Sequence, residues 1–452
     1  MSERFDAIVI GLGPGGEVAA GRLLAAGKRV AVIERELIGG ECAYWACIPS
    51  KTLLRATEAA AVAGRVAGIE RPAVDWPALR DYRDYMVRHL DDSAQVEGYT
   101  RQGATVVKGE ARLSGPGTVQ VGDRVLQADH VIVATGSEPL RPAIEGLQGA
   151  QVWTNREATT LREVPGRVVV IGGSAVGVEL GQFLCRMGAR VSILESAERL
   201  IHREHRRVGE LTRAALEADG VDVYTGVAAS RIRRAGTTTT VEMDGATDID
   251  TDVVLLASGR RPRTAGLGLE TAGVEVDERG AIPVDEHCRA AEGLWALGDV
   301  TGVALFTHIA TYQGRVVADN ILGHERPARY EGIPRVVFAD PEVAAVGLSA
   351  DAARQAGIEA AEAEVDLAEA IARPWTYEKD PTGTLGVVAD RKRQVLVGAW
   401  AVAPLAGEWI HFAALAIRAA IPLDVLADQV AQFPTYTEAF RAAIESLDRS
   451  PR

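Results

Sequence analysis

Two cysteines stand five positions apart in the stretch GGECAYWACIPSK, residues 39–51, of a chain with only four cysteines in 452 residues. Cys185 and Cys288 stand alone, so any intrachain redox pair should be Cys42 with Cys47. A thiolate that attacks a disulfide, and a disulfide that accepts two electrons, are the chemistry such a pair offers. Spacing alone does not select it. In a regular helix, Cα atoms five residues apart lie roughly 8–9 Å from each other, whereas a bridge needs about 4.4–6.8 Å. A bridged segment must therefore be distorted or only partly helical, and Gly39, Gly40 and Pro49 are suitable distorting residues. The other reading of the same residues is two buried, inert thiols, a common fate of free cysteine.

The elements that must position these cysteines begin with AIVIGLGPGG, residues 7–16: a short apolar strand, then Gly11, Gly13 and Gly16 on GxGxxG. A helix-like stretch, EVAAGRLLAAG, and a second strand ending in Glu34 follow. The first glycine makes the tight turn, the second lets the backbone approach a pyrophosphate, and the third lets helix pack on strand. The helix N-terminus favours the phosphate charge, and a carboxylate at the second strand end holds a ribose diol. The unit recurs at VVVIGGSAVGVELG, residues 168–181, with Gly172 and Gly177, and Glu195 follows Gly177 by the same 18 residues that separate Glu34 from Gly16. Two complete units predict two dinucleotides in one chain. Ser174 replaces the middle glycine of the second copy, where its Cβ holds a pyrophosphate away or its hydroxyl adds a hydrogen bond. A carboxylate at Glu195 pairs with a free 2′-hydroxyl and repels a 2′-phosphate, which favours NADH over NADPH. Arg199, His202 and Arg203 lie close enough in sequence to weigh the other way.

The totals narrow the classes. A formal charge of −13 and a pI near 5.3 argue against nucleic acid or a polybasic membrane role. No apolar run approaches the ~18–20 residues that span a bilayer, and the first strand begins too early to leave room for a signal peptide. The expectation is a cytoplasmic protein, where a disulfide is more often catalytic than structural. No Cys/His cluster has zinc-site spacing, so no metal is expected.

GGECAYWACIPSK resembles the active-site segment of the class I pyridine nucleotide–disulfide oxidoreductases, the group of dihydrolipoamide dehydrogenase, glutathione reductase and mercuric reductase. The resemblance extends through GLGPGG, VIVATGS (131–137), GGSAVGVELG, LLASGRRP (255–262), LWALGDVTG (294–302) and VVFADPEVAAVGLS (336–349). It implies an α/β fold with two Rossmann-like domains, for FAD and NAD, and a C-terminal α+β dimerisation domain. The implied partition is 1–145 and 266–330 for FAD, with a helical excursion near 52–100, then 146–265 for NAD(P)H and 331–452 for the interface. A homodimer follows, each active site completed by the partner's C-terminal segment. Cys42 becomes the interchange thiol facing the acceptor and Cys47 the thiol nearer the flavin. Lys51 sits near the flavin N5 and pairs with Glu179. Asp299 holds the ribityl chain and His308 the pyrimidine edge, while Glu34 and Glu195 bind the riboses of FAD and NADH. Gly40, Glu41, Ala111, Thr135, Gly136, Val227, Gly259, Gly298 and Thr307 complete the implied cofactor contacts. Tyr44 and Trp45 replace smaller residues common in the family, and either narrow access to the pair or fill core.

The resemblance breaks near the C-terminus. The family's disulfide reductases carry His–Pro–Thr with a glutamate five residues after the histidine, which serves as the general base for the interchange thiol. Here the stretch reads QFPTYTEAF, residues 432–440: Pro434, Thr435 and Glu438 match, but Phe433 takes the histidine's place. A phenyl ring carries no proton, and such a step is commonly worth about 10²–10⁴ in rate. The reading that leads is electron transfer from NADH through FAD and Cys42–Cys47 to an acceptor that needs no histidine base, such as a quinone, a metal ion or a dye-like small molecule. Mercuric reductases use a tyrosine here but add a C-terminal cysteine pair, and this chain ends SLDRSPR. The alternatives are a dihydrolipoamide-type dehydrogenase with Tyr436 or water as base, a proton-excluding variant resembling 2-ketopropyl-coenzyme M oxidoreductase/carboxylase (which also changes the glutamate retained here as Glu438), and a flavin-binding regulatory protein of low turnover.

Overall fold

The first strand, Glu3–Ile10, pairs in parallel with Val30–Glu34 on one side and Arg124–Val133 on the other. Thr105–Lys108 and Leu294–Ala296 extend this sheet in parallel, and Arg289–Ala291 closes one edge antiparallel. Ala7, Ile8, Val9 and Ile10 are all buried, because a parallel strand is covered on both faces. The computed structural model describes residues 3–236, 238–245 and 247–447. The last five residues of the SLDRSPR terminus lie outside them.

This sheet belongs to a unit made of Met1–Ser50, Asp81–Leu140 and Gly259–Arg329. Its nucleotide helix, Pro14–Ala25, starts with proline in its first turn, where a missing N–H costs nothing. The helix Thr307–Ile321 lies against it through glycines: a Cβ on Gly314 would come 2.6 Å from the Gly15 carbonyl oxygen, and one on Gly15 2.7 Å from that of Ala310. That close crossing fixes the first turns of the Thr307–Ile321 helix against the nucleotide helix.

The second unit, Lys51–Arg80, Arg141–Ser258 and Tyr330–Arg452, contains the repeat of the device. Its parallel sheet runs Asp222–Thr225, Arg190–Glu195, Arg167–Ile171, Val253–Leu256, Val152–Trp153. The third glycine of each motif is fixed by the same contact. A Cβ on Gly16 would sit 2.1 Å from the Gly11 oxygen, and one on Gly177 2.0 Å from the Gly172 oxygen. An antiparallel sheet follows in the order Pro334–Val337, Glu342–Gly347, Val395–Ala403, Thr384–Asp390, Ala360–Asp366. Leu385, Ala401, Trp409, Tyr436 and Phe440 share the core beside it. The fold is thus α/β, with two Rossmann-like units and a C-terminal α+β domain. The excursion after the cysteines is helical, as Cys47–Arg65, Trp76–Met86 and Ser93–Arg101. No described helix is long and apolar enough to cross a membrane.

Candidate active site

Cys42 lies within a single short helical turn, Gly40–Tyr44, and Cys47 opens the long helix Cys47–Arg65. Between them Trp45 turns to φ −135°, ψ −4°, and the amides of Trp45 and Ala46 both donate to the Glu41 carbonyl. The segment is therefore only partly helical, which is the distortion a Cys42–Cys47 bridge requires. Pro49 does not make the break; it sits inside the first turn of the second helix, where its ring is tolerated.

One hydroxyl touches both sulfurs. Thr307 Oγ1 is 3.3 Å from Cys47 Sγ and 3.4 Å from Cys42 Sγ, so the two sulfurs flank a single oxygen. Thr307 is the first residue of its helix, and no side chain caps that N-terminus. Tyr44, fully buried, hydrogen-bonds the Ile38 carbonyl and packs under Arg88, so it fills core. Trp45 is half-buried beside it.

The first nucleotide unit fits a dinucleotide. Glu34 Oε2 accepts the Leu12 amide at 2.9 Å and Oε1 that of Glu36 at 2.8 Å. The space where a Cβ on Gly13 would point is open, and the helix N-terminus above it carries no side-chain cap, leaving donors for phosphate. Asp299 is half-buried; loss of solvent pushes its carboxyl up, opposed by the Ser137 hydroxyl at 2.6 Å. Arg260 in turn donates to the Ser137 hydroxyl and carbonyl. Glu41 pairs with Arg263 at 3.2 Å, Thr135 donates to the Arg263 carbonyl, and the Gly298 amide is held by Gln313. Gly40 begins the Cys42 turn, Ala111 is buried at the start of its strand, and Gly136 and Gly259 have positive φ. His308 is exposed and stacks on Phe306 with ring centroids 5.1 Å apart.

In the second unit Glu195 repeats the Glu34 contact: Oε2 accepts the Gly173 amide and Oε1 that of Ala197, each at 2.7 Å. Val227 donates its amide to the Glu195 carbonyl. Ser174 turns its hydroxyl to the Ala257 carbonyl at 2.8 Å, so its proton is not aimed at a phosphate. Arg199 is bonded to the His202 carbonyl. Lys51 Nζ pairs with Glu179 Oε2 at 2.7 Å, and the Phe338 ring covers the ammonium 4.8 Å away. Glu179 Oε1 also accepts the Phe338 amide, while Gln182, one turn on, pairs with both amide and carbonyl of Asp340. These bonds set the Glu179 carboxylate before Lys51 arrives. Phe338 is a site residue that motif reading misses, although it lies within VVFADPEVAAVGLS.

In QFPTYTEAF, Phe433 is 75% exposed, and Glu438 closes a capping box on Thr435. Tyr436 is buried, stacks on Trp409, and its hydroxyl has no hydrogen-bond partner. Burial pushes that phenol further above its ordinary value. It is core, not a base in waiting.

Comparison with known proteins agrees with this geometry. A family model described as pyridine nucleotide-disulphide oxidoreductase matches residues 5–314, and the dimerisation domain of the same family matches 333–444. A dihydrolipoyl dehydrogenase of Thermus scotoductus is 36% identical, with 98% of each chain covered. A mercuric reductase of Streptomyces lividans is 34% identical over 98% of this chain and 96% of its own. Among solved structures, the Cu(II) complex of the HOCl-induced flavoprotein disulfide reductase RclA from Escherichia coli superposes with TM-score 0.87 at 28% identity, covering 97% of this chain and 99% of the other.

Proposed function

Because the chain belongs to the pyridine nucleotide–disulphide oxidoreductase family, and so is a homodimeric flavoprotein that uses FAD and a pyridine nucleotide, we propose that it carries electrons from NADH through FAD and Cys42–Cys47 to a small acceptor other than a disulfide. Bound FAD supplies a two-electron carrier between nicotinamide and sulfur. The protein supplies the rest. The uncapped N-terminus after Gly13 and the Glu34 carboxylate suit the FAD pyrophosphate and ribose, and Asp299 its ribityl chain. Lys51, held by Glu179 and Phe338, carries the positive charge that the family resemblance assigns to the flavin N5. Glu195 meets the ribose of NADH and repels a 2′-phosphate. Cys47, as the first residue of a helix, gains thiolate character from the dipole. Cys42 faces the acceptor. The parts 1–145 and 266–330, 146–265 and 331–452 serve as FAD, NADH and interface domains, in a cytoplasmic setting.

The observation that carries the choice of acceptor is Phe433, an exposed phenyl followed by a Tyr436 hydroxyl locked in core. Neither takes a proton from a thiol, so acceptors that depend on such a base are disfavoured. A quinone fits. A redox-active metal ion is the second candidate, favoured by the Cu(II) complex of the RclA neighbour.

Anaerobic titration with NADH tests the route. Uptake of four electrons per FAD with a long-wavelength absorption band supports it; bleaching after two electrons without the band removes the cysteines from the path. Turnover with a benzoquinone, Cu(II) and lipoamide then ranks the acceptors, and fastest turnover on lipoamide sinks the proposal.

A further inference from the structure

We propose that the Thr307 hydroxyl is a proton relay between Cys42 and Cys47, so that the pair makes its own thiolate without an external base. The inference rests on the reading of the two cysteines as a redox couple.

Opening a disulfide with two electrons, here from the reduced flavin, and one proton leaves one thiol and one thiolate. The single proton must sit on one sulfur. Thr307 Oγ1, 3.3 Å from Cys47 Sγ and 3.4 Å from Cys42 Sγ, has one hydrogen to donate and lone pairs to accept. Before transfer, with the proton on Cys42, the Cys42 S–H donates to the Thr307 oxygen and the Thr307 O–H to the Cys47 thiolate. The structure holds the arrangement after transfer, with the Thr307 O–H donating to Cys42 Sγ and either atom able to donate at Cys47. Concerted movement of both hydrogens reverses it: Cys47 becomes the thiol, Cys42 the thiolate, and the hydroxyl is regenerated. No atom is gained or lost. The sulfurs then close again as two electrons leave to the acceptor and the proton departs to it or to solvent.

Three features favour this use of the hydroxyl. Its geometry serves both sulfurs rather than one. The hydroxyl is not at the capping position, because the N-cap of that helix is Phe306 and Thr307 is the first helical residue. The helix itself is pinned by the Gly15–Gly314 crossing, so the oxygen is held in place. Both sulfurs also lie near the positive ends of helices, Thr307–Ile321 and Cys47–Arg65, which favour an anion on either.

The test uses the holoprotein, wild type and the variants Thr307→Val and Thr307→Ser. Thiols are counted before and after anaerobic NADH; the NADH-reduced protein is then alkylated with iodoacetamide from pH 5 to 9, and Cys42 and Cys47 peptides are quantified by mass spectrometry. Valine keeps the branched shape and removes the hydroxyl; serine restores it. The expected result is alkylation of Cys42 about tenfold slower at pH 7 in Thr307→Val, its pH midpoint about one unit higher, with Thr307→Ser returning to the wild-type curve. Identical curves for wild type and Thr307→Val overturn the relay, as do equal losses in valine and serine variants, which would mark a packing effect. Two thiols gained on NADH addition keep the redox reading intact in either case. No gain in the wild type overturns that reading and the relay with it.

Discussion

Glu34 and Glu195 perform the same act in the two nucleotide units: each carboxylate accepts the peptide N–H directly after the first glycine of its motif, Leu12 at 2.9 Å and Gly173 at 2.7 Å. The carboxylate is thus part of the turn as well as the proposed partner for ribose. Glu195→Arg should shift preference toward NADPH, read as the ratio of kcat/KM for the two nucleotides. The same change leaves the buried Gly173 amide without its acceptor, so it should also cost about 1–3 kcal/mol of stability. Glu195→Gln, whose amide oxygen can still accept, should cost less. An unchanged nucleotide ratio in Glu195→Arg would show that this carboxylate does not meet the ribose.

Phe433→His tests the missing base. The side chain is exposed on the single chain, so that chain's own packing should not notice the change. Lipoamide reduction should rise at least tenfold, toward the range typical of a general base, while quinone reduction stays level. No gain with lipoamide would mean that the phenyl is not what limits disulfide substrates.

Tyr436→Phe addresses the rival base directly. Because the buried hydroxyl lacks a partner, removing it should leave turnover unchanged and stabilise the protein by up to about 1–3 kcal/mol. Loss of turnover at full folding would return Tyr436 to the chemistry.

Glu179→Gln separates charge from position. The amide oxygen can keep the Phe338 N–H, but Lys51 loses its ion partner. Stopped-flow reduction of the flavin by NADH should slow on the order of tenfold, equivalent to about 1.4 kcal/mol of barrier. An unaltered rate would detach the Lys51–Glu179 pair from electron transfer.

Glu342 gives a pH signature. Burial, reinforced by the negative charges of Glu58, Glu408 and Asp340 and opposed by the Gly407 amide, pushes its carboxyl up to about 7 from an ordinary 4.5. Between these values the folded protein holds a proton that the unfolded chain has released, so stability falls as pH rises from 4.5 to 7 and then levels off. The loss is on the order of 3 kcal/mol. Glu342→Gln should melt higher than wild type at pH 8 and close to it at pH 5; equal gaps at both would assign the effect elsewhere.

Local patterns make the two nucleotide units legible from the amino-acid sequence, because strand, glycine turn, helix and terminal carboxylate all fall within a short stretch of chain. The partial helicity around the cysteines follows from the reach of a disulfide. What lies hidden is long-range. Thr307 stands 260 residues beyond Cys47, and its type suggests a cofactor contact as readily as a sulfur contact. Tyr436, in TYTEAF, has a pattern equally suited to an exposed turn or to a core, and only its stacking on Trp409 decides. Ser174 likewise has two readings, which only the bond from its hydroxyl to the Ala257 carbonyl separates.

The interruption at Trp45–Ala46 has a consequence for the chain as a polymer. A bridge from Cys42 to Cys47 closes a ring of only six residues, and a ring that small restricts the unfolded chain by about 2 kcal/mol, against nearly 5 for a hundred-residue loop. Making and breaking the bond therefore shifts the balance between folded and unfolded molecules by about 2 kcal/mol, less than half of what a hundred-residue loop would contribute. The kink takes up the geometric demand locally, between the turn Gly40–Tyr44 and the helix Cys47–Arg65. A catalyst that opens and closes this bond at every turnover thus gives up and regains only the small entropic share of a short ring.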